Sequence, residues 1–324
     1  MADILTRHAF TYPQMGTVFK AVLYAPDADL AHQHWREATH HLDYLNQMLS
    51  DYQPDSRINQ LCATAGSGQA LEVEGVVWDI LEKTLHIARL TRGAYDPTVG
   101  QLTKLWRRAF LTRALPDERM LRAARETAGY EEIRMFKSNR TVRIRRRGLQ
   151  LDFGGSGKGY AADQLLALLR TRGITSALID AGGDLALGDP PPGSAGWEVA
   201  VDDGTGLHPV DHLRLSGYGV ATSGDFYKYL ELGGKRYSHI LDPRTGYGVT
   251  DQRVVTVIAP DATWADALAT VLSVWPPEEG LSLLDRLTAE TGQVFTARIA
   301  AMAHLPVTVV TDARWATFVA AHAA

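Results

Sequence analysis

The stretch Leu151–Gly183, LDFGGSGKGYAADQLLALLRTRGITSALIDAGG, constrains this chain more than any other. Apolar residues alternate at Leu149, Leu151 and Phe153, the pattern of a strand with one buried face. A glycine cluster carrying Lys158 follows, then an amphipathic helix that stops at Gly173. An apolar run then closes in Asp180-Ala181-Gly182-Gly183. Glycine lets the backbone approach a ligand closely, and a helix start offers free N–H groups to an anion. A lysine in such a turn makes phosphate the anion to expect.

Two familiar phosphate motifs can be tested against this segment. A Walker A loop needs G-x-x-x-x-G-K-[ST]. Here Gly159 follows Gly157-Lys158 and Asp152 occupies the first glycine position, so that loop is excluded. Gly157, Gly159 and Ala162 do fit G-x-G-x-x-A, and Asp180 ends the next strand where dinucleotide folds carry a ribose-binding acid. In a chain with 29 glycines that spacing arises readily by chance, and a tight strand-to-helix turn needs the same residues for packing. The segment alone leaves a nucleotide site and plain turn packing both open.

At 324 residues the chain can bury a substantial core, and 45% apolar with 22% charged residues is ordinary for a soluble globular protein. The net charge of −4 comes with no basic block, which argues against nucleic acid or an anionic membrane as partner. Arg143, Arg145, Arg146 and Arg147 alternate with Val142 and Ile144 and read as a solvated strand face. Cys62 is the only cysteine, which excludes an intramolecular disulfide and any cysteine-cluster metal site. The N-terminal residues show neither a basic n-region nor an apolar h-region, and no window has the unbroken apolar length of a membrane span. The expectation is a cytoplasmic protein, although an exported form trimmed of its signal would look the same.

Periodicity places the elements. Thr17–Ala25 predicts a strand, and Ala28–Leu49 a helix through Leu30, Ala38, Leu42, Leu45 and Leu49. That helix carries His32, His34, His40 and His41, which diverge around its axis and read as a solvated face. A short element over Ser56–Leu61 is capped by Asp55 or Ser56, and Val76–Leu90 and Pro116–Thr127 are further helices. Ile133–Leu151 reads as a hairpin. Trp197–Val201, Gly217–Thr222, Arg236–Leu241 and Val254–Ile258 are short strands, and Thr263–Trp275 and Glu279–Thr291 are helical. Helices gather early and strands in the middle, which favours an α+β fold over a doubly wound sheet.

Four more segments are rich in functional groups: Gly93–Gly100, Val220–Tyr227, Ser238–Gly246 and Thr263–Thr270. Asp266 and Thr270 lie four apart and share one helix face, and their oxygens suit a hard ion such as Mg²⁺. Thr263-x-x-Asp266 equally resembles a capping box, the simpler of the two accounts. Asp242-Pro243-Arg244-Thr245-Gly246 is turn chemistry, and His239 beside it reads locally as a hydrogen-bonded structural residue.

The order of these segments carries more than any one of them. Met15-Gly16-Thr17, Asp51–Ser56, Gly93–Gly100, Asp152–Asp163, Asp180–Gly183, Thr222–Asp225, His239–Gly246 and Ala265–Thr270 follow one another as in the FAD:protein FMN transferase (ApbE) family, which the chain resembles from Met15 to about Trp275. The resemblance implies one α+β domain over 1–324 with mixed or antiparallel sheets and flanking helices. It makes the dinucleotide spacing a coincidence. It also implies a Mg²⁺-dependent transferase that moves FMN from FAD onto a Ser or Thr of a target flavoprotein with a Ser/Thr-Gly-Ala-Thr-like segment. That reaction leaves a phosphoester and releases AMP. The alternatives within the same resemblance are hydrolysis of FAD to FMN and AMP, and a flavin-binding maturation accessory without turnover.

By position the resemblance implies Mg²⁺ ligands at the Gly155 carbonyl, Asp266 and Thr270. It implies FAD contacts at Met15, Tyr52, Ala94, Tyr95, Asp96, Asp152 and Lys158, with Ile240 or Leu241 near the ligand. Lys158 would neutralise pyrophosphate charge, Tyr95 or Tyr52 would stack on a ring of FAD, and His239 or Asp242 would orient the phosphate or take the hydroxyl proton. Ala269 stands where some members carry a further ion-facing acid, and Ser156-Gly157 where many carry larger apolar residues. Many members are exported lipoproteins, whereas no lipobox is visible here.

Overall fold

Residues 4–202, 210–224, 228–301 and 308–319 are described in a computed structural model of the chain. Its frame is an eight-stranded sheet of β1 (Thr6–Gln14), β2 (Thr17–Ala25), β3 (Ala177–Ala181), β4 (Asp184–Leu187), β5 (Gly219–Gly224), β6 (Arg253–Ala259), β7 (Thr296–Ala301) and β8 (Thr308–Thr311). The strands lie side by side in that order and every pair is antiparallel. The sheet is therefore a meander, and the rest of the chain hangs from its turns. A dinucleotide fold needs parallel strands joined by crossover helices, so the G-x-G-x-x-A spacing is indeed a coincidence.

Alternation along the strands gives the sheet two different faces. Phe19, Ala21, Leu23 and Ile179 point into a core shared with the helices, whereas Val22, Tyr24, Leu178 and Leu185 pack towards Trp197, Leu213 and Trp315. The helices that matter for the site are α1 (Ala28–Leu49), α2 (Gly75–Leu90), α3 (Gly100–Thr112), α4 (Gly157–Thr171), α5 (Ala262–Val274) and α6 (Pro277–Thr291). Helix α4 packs on α1, α5, β3 and β4, and α5 on β5 and β6. The α4–α5 approach is close because both present small residues. Ala161, Ala162, Ala265 and Ala269 are fully buried, and a Cβ on Gly159 would lie 2.7 Å from the Ala262 carbonyl carbon. Among the described residues no helix is long and apolar enough to cross a membrane.

The helical periods match the observed elements within two residues, and α1 has the expected bounds. Ser56 is the cap of the short helix Arg57–Ala63, accepting from Asn59 N at 3.3 Å. Three expectations are corrected. Leu149, Leu151 and Phe153 are buried as their alternation requires, but the segment pairs only through one parallel bridge, Gln150 with Val99, and no strand runs into the glycine turn. His34 is 7% exposed on the core side of α1, so the solvated face holds for His32 and His40 and not for it. Arg236–Leu241 is split by a turn into Lys235–Ser238 and Leu241–Asp242. Strands β7 and β8 lack the alternation that would reveal them, whereas β1 alternates and helix α3 carries Leu102, Leu105, Trp106, Ala109 and Phe110 at helical spacing, and neither is among the expected elements.

Candidate active site

Helix α4 begins without a capping side chain of its own. Ser156 stands at the cap position, but its hydroxyl is taken by the Tyr95 hydroxyl at 2.6 Å. The orphan N–H of Gly159 is instead bound by Asp266 Oδ2, reaching across from α5 at 3.2 Å. An N-terminal N–H group left unpaired in a helix start is unfavourable, so a carboxylate here is well placed. This corrects the capping-box reading of Thr263-x-x-Asp266. Helix α5 is capped by Asp261, which accepts from Trp264 N at 2.8 Å. Asp163 of α4 supports the same start, accepting from Ala262 N at 2.9 Å, Thr263 N at 2.8 Å and Thr263 Oγ1 at 2.6 Å. Each helix start is thus held by an acid of the other.

One turn along α5, Thr270 faces the turn before α4. A Cβ on Gly155 would lie 2.7 Å from Thr270 Oγ1, so glycine is what lets this main chain meet the hydroxyl. Thr270 thus comes up against the Gly155 main chain one turn beyond Asp266 on the same helix; these are the three residues that the resemblance grouped. Lys158 turns inward to pair with Asp184, which is 2% exposed at the start of β4. Burial alone would lower the amine's pKa, but the charges of Asp266 and Asp184 outweigh it and hold the amine above its ordinary value. Burial, then the Asp266 charge, pushes Asp184 up to about 7 against the pull of Lys158. Burial also raises Asp266, opposed by Lys158 and the Gly159 N–H.

Two buried acids thus share one ammonium, which leaves negative charge for a further cation. The donors available to it, carboxylate, hydroxyl and carbonyl, are all oxygen and fit a hard divalent ion. Among the described residues no three His, Cys, Asp or Glu side chains group as metal ligands. An ion here would accordingly complete its shell with main-chain, hydroxyl and substrate oxygens.

The turn before β4 brings in the first hairpin. Gly182 and Gly183 have φ of 75° and 100°, and Gly183 N donates to Asp180 Oδ1 at 2.8 Å. A Cβ on Gly182 would overlap Thr17, which puts the β1–β2 turn against this loop. Met15 occupies the first position of that two-residue turn with φ 50°, a conformation that favours Asn or Gly. Its side chain packs against the core shared by the sheet and the helices.

The remaining expected contacts divide sharply. Tyr52 is 72% exposed and Tyr95 is 4%, so only Tyr52 offers a ring face to a ligand. Ala94 and Tyr95 belong to the core beside α5. Asp96 organises its own loop, accepting from Thr98 N at 2.8 Å, Thr98 Oγ1 at 2.6 Å and Tyr130 N at 3.2 Å, and burial pushes its pKa up to about 6. Asp152 accepts from Gly154 N at 2.6 Å, Thr103 Oγ1 at 2.6 Å and Arg107 Nη2 at 3.0 Å, which leaves it little capacity beyond shaping the turn. Asp242 is occupied by Arg244 through Nε and Nη2, both at 2.9 Å, so turn chemistry is its role.

His239 differs. Its Nδ1 lies 3.1 Å from the Lys228 carbonyl, which fixes the proton there and leaves Nε2 with a free lone pair. The packing round the ring, then Lys228, lower its pKa, and the charge of Lys158 adds to this. Ile240 and Leu241 beside it are buried. In the Thr222–Asp225 segment Thr222 Oγ1 bonds Thr256 Oγ1 at 2.9 Å, while Asp225, Phe226 and Tyr227 fall outside the described residues. Arg107, Thr103, Asp184 and Asp163 were missed from sequence. Their only signals were the i, i+4 spacing of Thr103 and Arg107 on an unpredicted helix and an acid directly after Gly182-Gly183.

Comparison with known proteins gives the chain a family and a shared fold. The model of the ApbE family matches residues 15–295. A Treponema pallidum protein named FAD:protein FMN transferase is 33% identical over 288 residues, 83% of this chain and 79% of that one. The Escherichia coli K12 protein of that name is 31% identical over 84% of this chain and 79% of its own length. Among solved structures, the apo form of Pseudomonas stutzeri flavinyl transferase ApbE superposes with a TM-score of 0.85 at 27% identity, covering 98% of each chain. The apbe protein of Thermotoga maritima gives 0.85 at 26% identity, covering 98% of this chain and 100% of that one.

Proposed function

The chain belongs to the ApbE family, and from that premise we propose that it is a FAD:protein FMN transferase. The observation that carries the reading is the junction of α4 and α5, where Lys158 is held between two buried acids beside Gly155 and Thr270. Cleaving a pyrophosphate needs charge stabilisation and positioning more than a covalent intermediate. Lys158 supplies positive charge to the bridging phosphates. Gly155 through its carbonyl, Asp266 and Thr270 would hold Mg²⁺, which when bound neutralises phosphate oxygens.

The hydroxyl oxygen of an acceptor Ser or Thr attacks the phosphorus on the FMN side. The bond from that phosphorus to the bridging oxygen breaks, AMP leaves with the electron pair, and a phosphoester joins FMN to the acceptor. His239 Nε2 takes the hydroxyl proton, its lone pair kept available by the bond from Nδ1 to the Lys228 carbonyl. Met15 and Tyr52 line the flavin nucleotide's approach, Tyr95 and Asp152 fix the glycine turn through Ser156 and Gly154, and Ala94 and Asp96 hold the adjoining loop. The test is incubation with FAD, Mg²⁺ and an acceptor carrying a Ser/Thr-Gly-Ala-Thr-like segment. The expected result is a fluorescent acceptor band in a denaturing gel. Steady AMP release without a band on several acceptors would replace transfer by FAD hydrolysis, and tight FAD binding without AMP release would leave only a flavin-binding accessory.

A further inference from the structure

One side chain outside the expected set joins three segments of the site. Arg107, on α3, lies with its guanidinium carbon 4.0 Å from the centre of the Tyr52 ring. The same guanidinium donates to Asp51 through Nη1 and to Asp152 Oδ2 through Nη2. Thr103, one turn earlier on the same helix, donates to that Asp152 oxygen. The side chains of Asp51 and Asp152 are 11% and 5% exposed, and two acids so placed repel each other without a cation between them. Burial and the Asp152 charge raise the pKa of Asp51, while Arg107 pulls it down.

We infer that Arg107 is a positioning residue: it clamps Tyr52 flat as the floor for a planar nitrogen heterocycle of the substrate and ties that floor to the glycine turn through Asp152. The inference rests on the FAD reading above. Tyr52 is largely exposed, and an unsupported ring at the surface would lose its rotational freedom only when ligand binds. With Arg107 covering one face, that freedom is already spent and the opposite face is left for stacking. A guanidinium can lie flat on a ring and bridge two carboxylates at once, whereas a lysine ammonium is a point charge that cannot do both. The shared chemistry is a flat heterocycle, and FAD carries two of them, the flavin and the adenine.

The test compares dissociation constants for FAD, FMN and AMP in the full chain, by titration calorimetry, for the parent, R107K, Y52A and the double variant. R107K keeps the charge between the two acids, and thermal melts verify that each variant is folded. R107K and Y52A are each expected to weaken FAD by about tenfold, the scale of one ring stack. The double variant should lose little more than either single change, because both remove the same floor. The loss should follow only one fragment, FMN or AMP, which identifies the ring that sits on Tyr52. Unchanged FAD affinity in R107K, losses that multiply to about a hundredfold, or equal losses with FMN and AMP would each overturn the inference. A parent that binds no FAD would remove the functional reading and this inference together.

Discussion

A single methyl group placed at Gly159 should separate the two halves of the proposed site. The added Cβ would lie 2.7 Å from the Ala262 carbonyl carbon, closer still to its oxygen, and 3.0 Å from Asp266 Cβ. The nearest obstacles are backbone, so α5 must move as a body. Overpacking of this kind costs about 3 kcal/mol, and the better helix propensity of alanine returns at most about 1 kcal/mol. The net loss of about 2 kcal/mol corresponds to a fall in Tm of about 3 °C for a chain of this size. Moving α5 away also breaks the hydrogen bond from Gly159 N to Asp266, so Mg²⁺-dependent AMP release should fall at least tenfold. Gly155→Ala is the informative partner. Its Cβ would meet Thr270 Oγ1 at 2.7 Å, the end of a side chain that can rotate. It should leave Tm within about 2 °C of the parent, a rotamer change costing at most about 1 kcal/mol. Turnover should nevertheless fall as the hydroxyl turns out of the site. Thermal melts with AMP-release assays read both quantities. A Gly159→Ala protein with the parent's Tm and turnover would refute the close approach of α4 and α5 and the site built on it.

Other expectations are as direct. Asp266→Asn keeps the shape but should abolish Mg²⁺-dependent turnover, read as AMP release across a Mg²⁺ titration; full activity would reduce Asp266 to a cap for α4. Lys158→Ala should weaken FAD binding in a titration and free the charge of Asp184, and unchanged affinity would contradict its pyrophosphate role. Asp96, with a folded pKa pushed up to about 6 from 3.8 by burial, holds its proton more tightly when folded. Its stabilisation is complete below about pH 4 and is lost as pH rises to about 6, an amount of about 3 kcal/mol. Denaturant melts between pH 4 and 7 should therefore show a slope in the parent that flattens in Asp96→Asn.

The sequence revealed the helices with strong apolar periods and the order of the loops between them, because each is decided by neighbours along the chain. Helix α3 was legible by the same rule, since Leu102, Leu105, Trp106, Ala109 and Phe110 fall at helical spacing, although it is not among the expected elements. The sequence hid β7, where burial on both faces leaves Thr296–Ala301 without alternation. Within the site, Asp266 and Thr270 were legible as a pair because helical geometry places them together. Asp184 and Arg107 were not, since their partners Lys158, Tyr52 and Asp152 lie 26, 55 and 45 residues away. The local reading of Asp266 as a cap was right about the chemistry and wrong about the helix, because the N–H it binds is 107 residues distant.

That distance has a consequence during synthesis and folding. The acid that closes the start of α4 leaves the ribosome long after the amide it binds, and the β1–β2 turn waits longer still for its own partner, the Gly182 loop. Contacts of such separation form late, because the loop between them must close first. Until residue 266 arrives, the Gly159 amide at the start of α4 lacks the carboxylate that binds it. The start of α4 is thereby closed only once the meander has passed β6 and α5 has docked, so a chain truncated before α5 leaves the glycine turn open.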